Sequence, residues 1–269
     1  MEIRSKLLNM NLNTLNQRRE HMKDYLDYLV QWIRDVVYQA HAKGVIIGIS
    51  GGIDSAVVGA LAKKAFPNDC LGLILPCHSQ SIDQQLGIEL CEKFNIPYQT
   101  VDLTSTYDAF VASCEKEFSN SEEKVYLEAK RNTKVRLRMV ALYAYAQSRN
   151  YLVLGTDNAD EWYIGYFTKH GDGGVDLAPI IHLTKGEVIQ AAKELGVPEA
   201  IIKRPPTAGL YDGQTDEKEI GVSYEELDQH LQGKDIDSQK KERLLYLHQI
   251  SEHKRNLAHH PKSKIDYKQ

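Results

Sequence analysis

Only four cysteines occur in the 269 residues, at 70, 77, 91 and 114, and no two form a Cys-x-x-Cys pair. That excludes a dithiol redox motif or a thiolate metal clip and leaves reduced, cytoplasmic thiols as the expectation. Long apolar runs are missing too: the longest, GVIIGI from Gly44, has the length of a strand and not of a membrane span. The N-terminus lacks the apolar segment of a signal peptide, so a soluble protein is expected. Nor is there an excess of basic charge. With 33 Lys and Arg against 37 Asp and Glu the net charge is −4, without the electrostatic footprint of a nucleic-acid binder. No internal repeat or Pro/Gly/Ser-rich boundary divides the chain. The expectation is one domain over residues 1–269, with a helical lead-in over about 1–43 and a polar tail over about 250–269.

What is present has two periods. Tyr25, Tyr28, Leu29, Trp32, Ile33, Val36 and Val37 recur at helical spacing and predict an amphipathic helix that ends before Gly44. Short apolar runs at Val45–Ile49, Cys70–Leu75, Tyr98–Val101 and Tyr151–Leu154 then alternate with helical stretches near 54–65, 82–94, 105–118 and 124–149. Strand alternating with helix predicts a parallel sheet covered on both faces, with its ligand beyond the carboxyl ends of the strands. If the first and fourth strands are neighbours, the loops SGGIDS and GTDNADE face one pocket.

The segment GVIIGISGGIDSAVVGALAKKA drives a strand through two glycines into a helix, which turns backbone N–H groups and the helix dipole toward an anion. It ends Gly52-Ile53-Asp54-Ser55, without the Gly-Lys-Ser/Thr of a Walker loop, and its glycines do not keep dinucleotide-fingerprint spacing. Instead Ser50 and Ser55 surround an acidic side chain, Asp54. A carboxylate beside phosphate calls for a cation between them, which makes Asp54 a Mg²⁺ ligand. Asp54 as a helix N-cap is the equal alternative on spacing alone.

The SGGIDS run resembles the SGGxDS loop of ATP pyrophosphatases, which cleave ATP between the α and β phosphates. Further motifs follow in order: GTDNADE at 155–161, GYFTKHGDGGVD at 165–176, PI with a later Leu-x-Lys, PPTAGL with GQTDE, and SEHKR at 251–255. Together they resemble the ammonia-using NAD⁺ synthetases. The resemblance implies a Rossmann-like fold of the adenine-nucleotide alpha-hydrolase type, a doubly wound parallel sheet of five strands with helices on both faces. It also implies the reaction: the nicotinate carboxylate of deamido-NAD⁺ takes AMP from ATP, pyrophosphate leaves, and ammonia displaces AMP to give NAD⁺. The carboxylate is a poor electrophile until the mixed anhydride forms, so the chemistry needs placement and charge neutralisation more than a protein nucleophile.

Carried over residue by residue, the resemblance assigns ATP to Gly48, Ile49, Ser50, Gly51, Gly52, Ile53, Asp54 and Ser55, with Thr156, Lys185 and Thr207. Mg²⁺ falls to Asp54 and Glu161. Deamido-NAD⁺ falls to Arg136, Lys169, Asp176, His253 and Lys254. Asp54, Lys185 and Asp172 are the catalytic candidates, Asp172 beside incoming ammonium. Without the resemblance, Glu161 and Lys185 read as ordinary surface charges and Thr156 as a helix cap. A homodimer is implied, with the helix that bears Arg136 at its interface, and ammonia arrives free or from a separate glutaminase. Asp157 stands where the resemblance leads us to expect glycine and adds negative charge near the ATP loop. The segment Thr207–Gly221 resembles a loop that orders over substrate. The paired His259 and His260 lack the framework of a metal site. Rival readings are a tRNA thiolation or lysidine enzyme, a GMP synthetase-like enzyme, and a silent nucleotide sensor on the same fold.

Overall fold

The computed structural model describes residues 2–118, 122–206, 215–256 and 258–261. In chain order α1 (Glu2–Gln39) leads into β1 (Gly44–Gly48), α2 (Ile53–Ala65), β2 (Cys70–Ile74), α3 (Ser81–Phe94) and β3 (Tyr98–Thr100). The helices α4 (Thr104–Phe118) and α5 (Glu123–Arg149) then return to β4 (Tyr151–Leu154). Short helices complete the chain: α6 (Ala159–Ile164), α7 (Lys185–Leu195), α8 (Glu199–Ile202), α9 (Asp216–Ile220), α10 (Tyr224–Leu231) and α11 (Ser238–Ile250).

Every strand pair is parallel, and the order is β3-β2-β1-β4. The first and fourth strands are therefore neighbours, with Ile46 beside Val153, and the order reverses at β1. Successive side chains of a strand point to opposite faces, and β1 shows it: Val45 and Ile47 join the α1, α2 and α7 side, while Ile46 joins the α4 and α5 side. Both faces are thereby apolar, as the unbroken VII run requires. A smaller cluster of Ile164, Tyr224, Leu227 and Leu244 ties α6, α10 and α11 together beyond the sheet.

The described residues form four strands, not the five expected. Beyond β4 the chain makes one parallel bridge, Leu154 to Leu177, with Gly155 N–H donating to the Leu177 carbonyl at 2.7 Å. Pro179 follows two residues later without an N–H to continue the ladder, and the chain turns, Ile181 N–H reaching the Ala178 carbonyl. The edge therefore stops at a bridge. Among the described residues no helix is long and apolar enough to cross a membrane.

Candidate active site

The strand order reverses where β1 ends, and the SGGIDS loop occupies that point. Ser50 and Ser55 fold the loop on itself, their hydroxyls 3.0 Å apart. Ser55 Oγ accepts the Ser50 N–H at 3.2 Å and donates to the Gly52 carbonyl at 3.0 Å. Gly51 has φ +80°, and a Cβ there would stand 2.5 Å from the Asp83 carbonyl oxygen, so both conformation and space select glycine. Arg204 braces the same corner by pairing with the Asp83 carboxylate.

Gly52 is the N-cap of α2, and no side chain caps it, which removes the capping alternative for Asp54. Asp54 lies inside the first turn and points across to two later segments. Its Oδ1 accepts the Asn158 side-chain amide at 2.9 Å, and its Oδ2 lies 2.6 Å from Lys185 Nζ. Lys185 Nζ also reaches Glu161 Oε1 at 3.4 Å. Two capping boxes hold these partners in place: Asn158 with Glu161 at the start of α6, and Thr184 with Glu187 at the start of α7. Thr156 therefore does not cap the helix.

Burial sets the electrostatics of this cluster. It pushes the Glu161 carboxyl up to about 7, with Lys185 opposing and Asp54 reinforcing the rise. Burial alone would lower Lys185, but Asp54 and Glu161 outweigh it and keep the ammonium charged. The Tyr224 ring lies 5.0 Å from Lys185 Nζ, and its hydroxyl donates to Asp216 at 3.1 Å. Lys185 is held by its backbone as well, its N–H donating to Asp160 Oδ2 at 2.6 Å.

A cleft of about 990 Å³ opens over this cluster. It is lined by Gly48, Ile49, Ser50, Gly52, Ile53, Asp54 and Ser55 of the loop, and by Thr156, Glu161, Asp172, Lys185 and Lys254. Gly51 turns away beneath Asp83. Thr207 lies outside the described residues, as does most of the Thr207–Gly221 segment, of which Asp216–Ile220 is α9. The remaining candidates gather outside the cleft wall. Exposed Arg136 donates to the Lys169 carbonyl at 3.2 Å, and Lys169 Nζ donates to the His253 carbonyl at 2.6 Å. Asp176 accepts from Tyr143, two turns further along α5, at 3.0 Å and from the Val153 N–H at 2.8 Å.

Sequence reasoning missed several groups that the fold brings here. Asn158 is fully buried against Asp54, and its signal was the Asn-x-x-Glu spacing of a capping box. Arg138, two residues past Arg136 on α5, lines the cleft and donates to the Leu75 carbonyl at 3.0 Å and to Ser79 at 3.1 Å, while Arg136 stays outside. Tyr224 and Arg204 had no sequence signal at all.

A glycine loop at a helix N-terminus, a buried ammonium and two carboxylates at the carboxyl edge of a parallel sheet can hold a phosphate ester together with a hard cation. Such a site belongs to the α/β nucleotide-binding class. The NAD synthase family profile matches residues 25–258, and the chain belongs to that family. It is 52% identical over 241 residues to the NH(3)-dependent NAD(+) synthetase of Mesoplasma florum, covering 90% of this chain and 97% of that protein. The structure of NMN synthetase from Francisella tularensis is similar at a TM-score of 0.85 and 45% identity, over 90% of this chain and 99% of the other. The NH3-dependent NAD synthetase of Campylobacter jejuni, solved with nitrate, follows at 0.73 and 28%, over 90% and 99%.

Proposed function

We propose that this protein is an ammonia-dependent NAD⁺ synthetase. It transfers AMP from ATP to the nicotinate carboxylate of deamido-NAD⁺, releases pyrophosphate, and lets ammonia displace AMP to form the amide of NAD⁺. The observation that carries the reading is the contact of Asp54, Lys185 and Glu161 over the Ser50–Ser55 loop, in a chain whose close relatives carry that activity in their names.

In this reading the loop from Gly48 to Ser55 and the dipole of α2 hold the ATP phosphates, with Thr156 and Thr207 beside them. Lys185 neutralises charge that builds on the departing pyrophosphate. Asp54 and Glu161 present hard oxygen donors from the first turns of α2 and α6, and no group of three or more metal-ligating side chains occurs among the described residues. Two carboxylates without a full cage suit Mg²⁺, which takes its other ligands from phosphate and water. When bound there, Mg²⁺ neutralises the phosphate oxygens. Arg136, Lys169 and Lys254 meet the anionic dinucleotide, with Asp176 and His253 orienting it. Asp172 stands beside the incoming ammonium, which comes free or from a separate glutaminase.

The exposed apolar side chains Val125, Leu127, Val140 and Tyr143 of α5 support a homodimer through that helix, next to Arg136. Free Cys70, Cys77, Cys91 and Cys114 suit the reducing cytoplasm.

The likeness to an NMN synthetase favours a second reading, in which the same chemistry acts on nicotinate mononucleotide. Comparison of kcat/KM for the two acceptors decides between them: preference for deamido-NAD⁺ upholds the first reading, and preference for the mononucleotide replaces it.

A further inference from the structure

Lys185 is the first residue of α7, and two carboxyls from other helices hold that turn from behind. Asp160 of α6 is fully buried and accepts the Lys185 N–H at 2.6 Å. Asp228 of α10 accepts the next N–H, that of Gly186, at 3.0 Å, and the Thr184 hydroxyl at 3.0 Å, both on Oδ2. This approach requires glycine at 186, because a Cβ there would stand 2.5 Å from Asp228 Oδ2. Each carboxyl leaves its other oxygen, Oδ1, buried with no N–H or hydroxyl to meet it, and these are the only two such side-chain atoms among the described residues. Unmet buried oxygens cost stability, and the fold keeps both of them at the base of Lys185. The two carboxyls are within hydrogen-bond reach of each other, where one proton serves both.

We propose that Asp228 is a positioning residue for the release of pyrophosphate: by gripping the first turn of α7 it keeps Lys185 aimed into the cleft. This rests on the NAD⁺ synthetase reading, in which Lys185 neutralises the departing pyrophosphate. Asp228 is not part of the cleft wall, so it acts through Lys185 and not on substrate. The far end of Lys185 is held by Asp54 and Glu161. Once a cation and phosphate engage those carboxylates, the backbone of α7 is what still fixes the ammonium, and a misplacement of about 1 Å in such a group costs up to about 100-fold in rate. What the turn asks of residue 228 is an acceptor oxygen rather than a charge. Asparagine keeps that oxygen, and its amide N–H replaces the shared proton.

The test is exchange of labelled pyrophosphate into ATP, with deamido-NAD⁺ and no ammonium, which reads adenylation and its reversal alone. If the wild-type protein shows no exchange, the function reading fails and takes the inference with it. With exchange present, Asp228→Ala is expected to raise the KM for pyrophosphate about tenfold, the size of a weakened charge-assisted contact, and to leave the KM for deamido-NAD⁺ in place. A merely structural role lowers the amount of active protein and moves neither KM. Asp228→Asn is expected to recover most of the loss. Gly186→Ala, which favours the helix itself, decides if Asp228→Ala does not fold: its Cβ displaces Asp228 Oδ2 and should raise the same KM. An unchanged KM for pyrophosphate in a folded variant overturns the inference. So does a parallel rise in the KM for deamido-NAD⁺, or asparagine at 228 that performs no better than alanine.

Discussion

Lys185 Nζ and Asp54 Oδ2 meet at 2.6 Å, and the two side chains are 5% and 17% exposed. They stand in the first turns of α2 and α7, 131 residues apart in sequence. Removing one partner of a largely buried pair strands the other charge, at a cost of about 3–5 kcal/mol, whereas removing both relieves it. We expect Lys185→Ala and Asp54→Ala each to lower the stability measured by urea denaturation, and the double variant to lose clearly less than their sum. Strict additivity would contradict the contact.

Gly51 and Gly196 form a natural comparison. Their φ angles are +80° and +79°, but a Cβ at Gly51 meets the Asp83 carbonyl at 2.5 Å, while one at Gly196 meets nothing within 4 Å. Alanine at 196 incurs only left-handed strain, about 1–2 kcal/mol, and ATP binding followed by calorimetry holds. Alanine at 51 adds a clash at the phosphate loop and weakens ATP as well. Equal effects of the two on ATP affinity would remove the loop from the nucleotide site.

The thiols should separate by alkylation. Burial pushes Cys70 and Cys91 up to about 12, so almost no thiolate exists on these two near pH 8, and burial raises the buried Cys77 as well. Cys114 is partly exposed. Iodoacetamide on the native protein is expected to mark Cys114 alone by peptide mass, and all four in denaturant. Early labelling of Cys70 would contradict the packing around β2.

Val140, the most exposed of the apolar residues on α5, tests the dimer. Val140→Glu places a charge in the proposed interface and should yield monomers in analytical ultracentrifugation, with the fold intact by circular dichroism. A wild-type protein that is monomeric at all concentrations would exclude the dimer.

Much of this architecture was legible because its cause is local. The stretches 82–94, 105–118 and 124–149 read as helices from period alone and became Ser81–Phe94, Thr104–Phe118 and Glu123–Arg149. A strand-order reversal is not local: the neighbourhood of β1 and β4 had to be assumed, and the absence of a fifth strand among the described residues turns on Pro179 and the turn after it. The site divides in the same way. Asp54, Glu161 and Lys185 stood out through motifs, but their meeting depends on α6 and α7 approaching α2. Tyr224 and Arg204 enter through tertiary packing that no spacing encodes. Asp157 stood out only as extra charge, and its burial in the cleft wall is a matter of the fold.

The central claim is that a carboxylate attacks the α-phosphate of ATP. Deamido-NAD⁺ carrying oxygen-18 in its nicotinate carboxylate, turned over with ATP, Mg²⁺ and ammonium, tests it by mass spectrometry of the nucleotide released. The account predicts AMP with one oxygen-18 for each NAD⁺ formed. Unlabelled AMP, or ADP in its place, would contradict it.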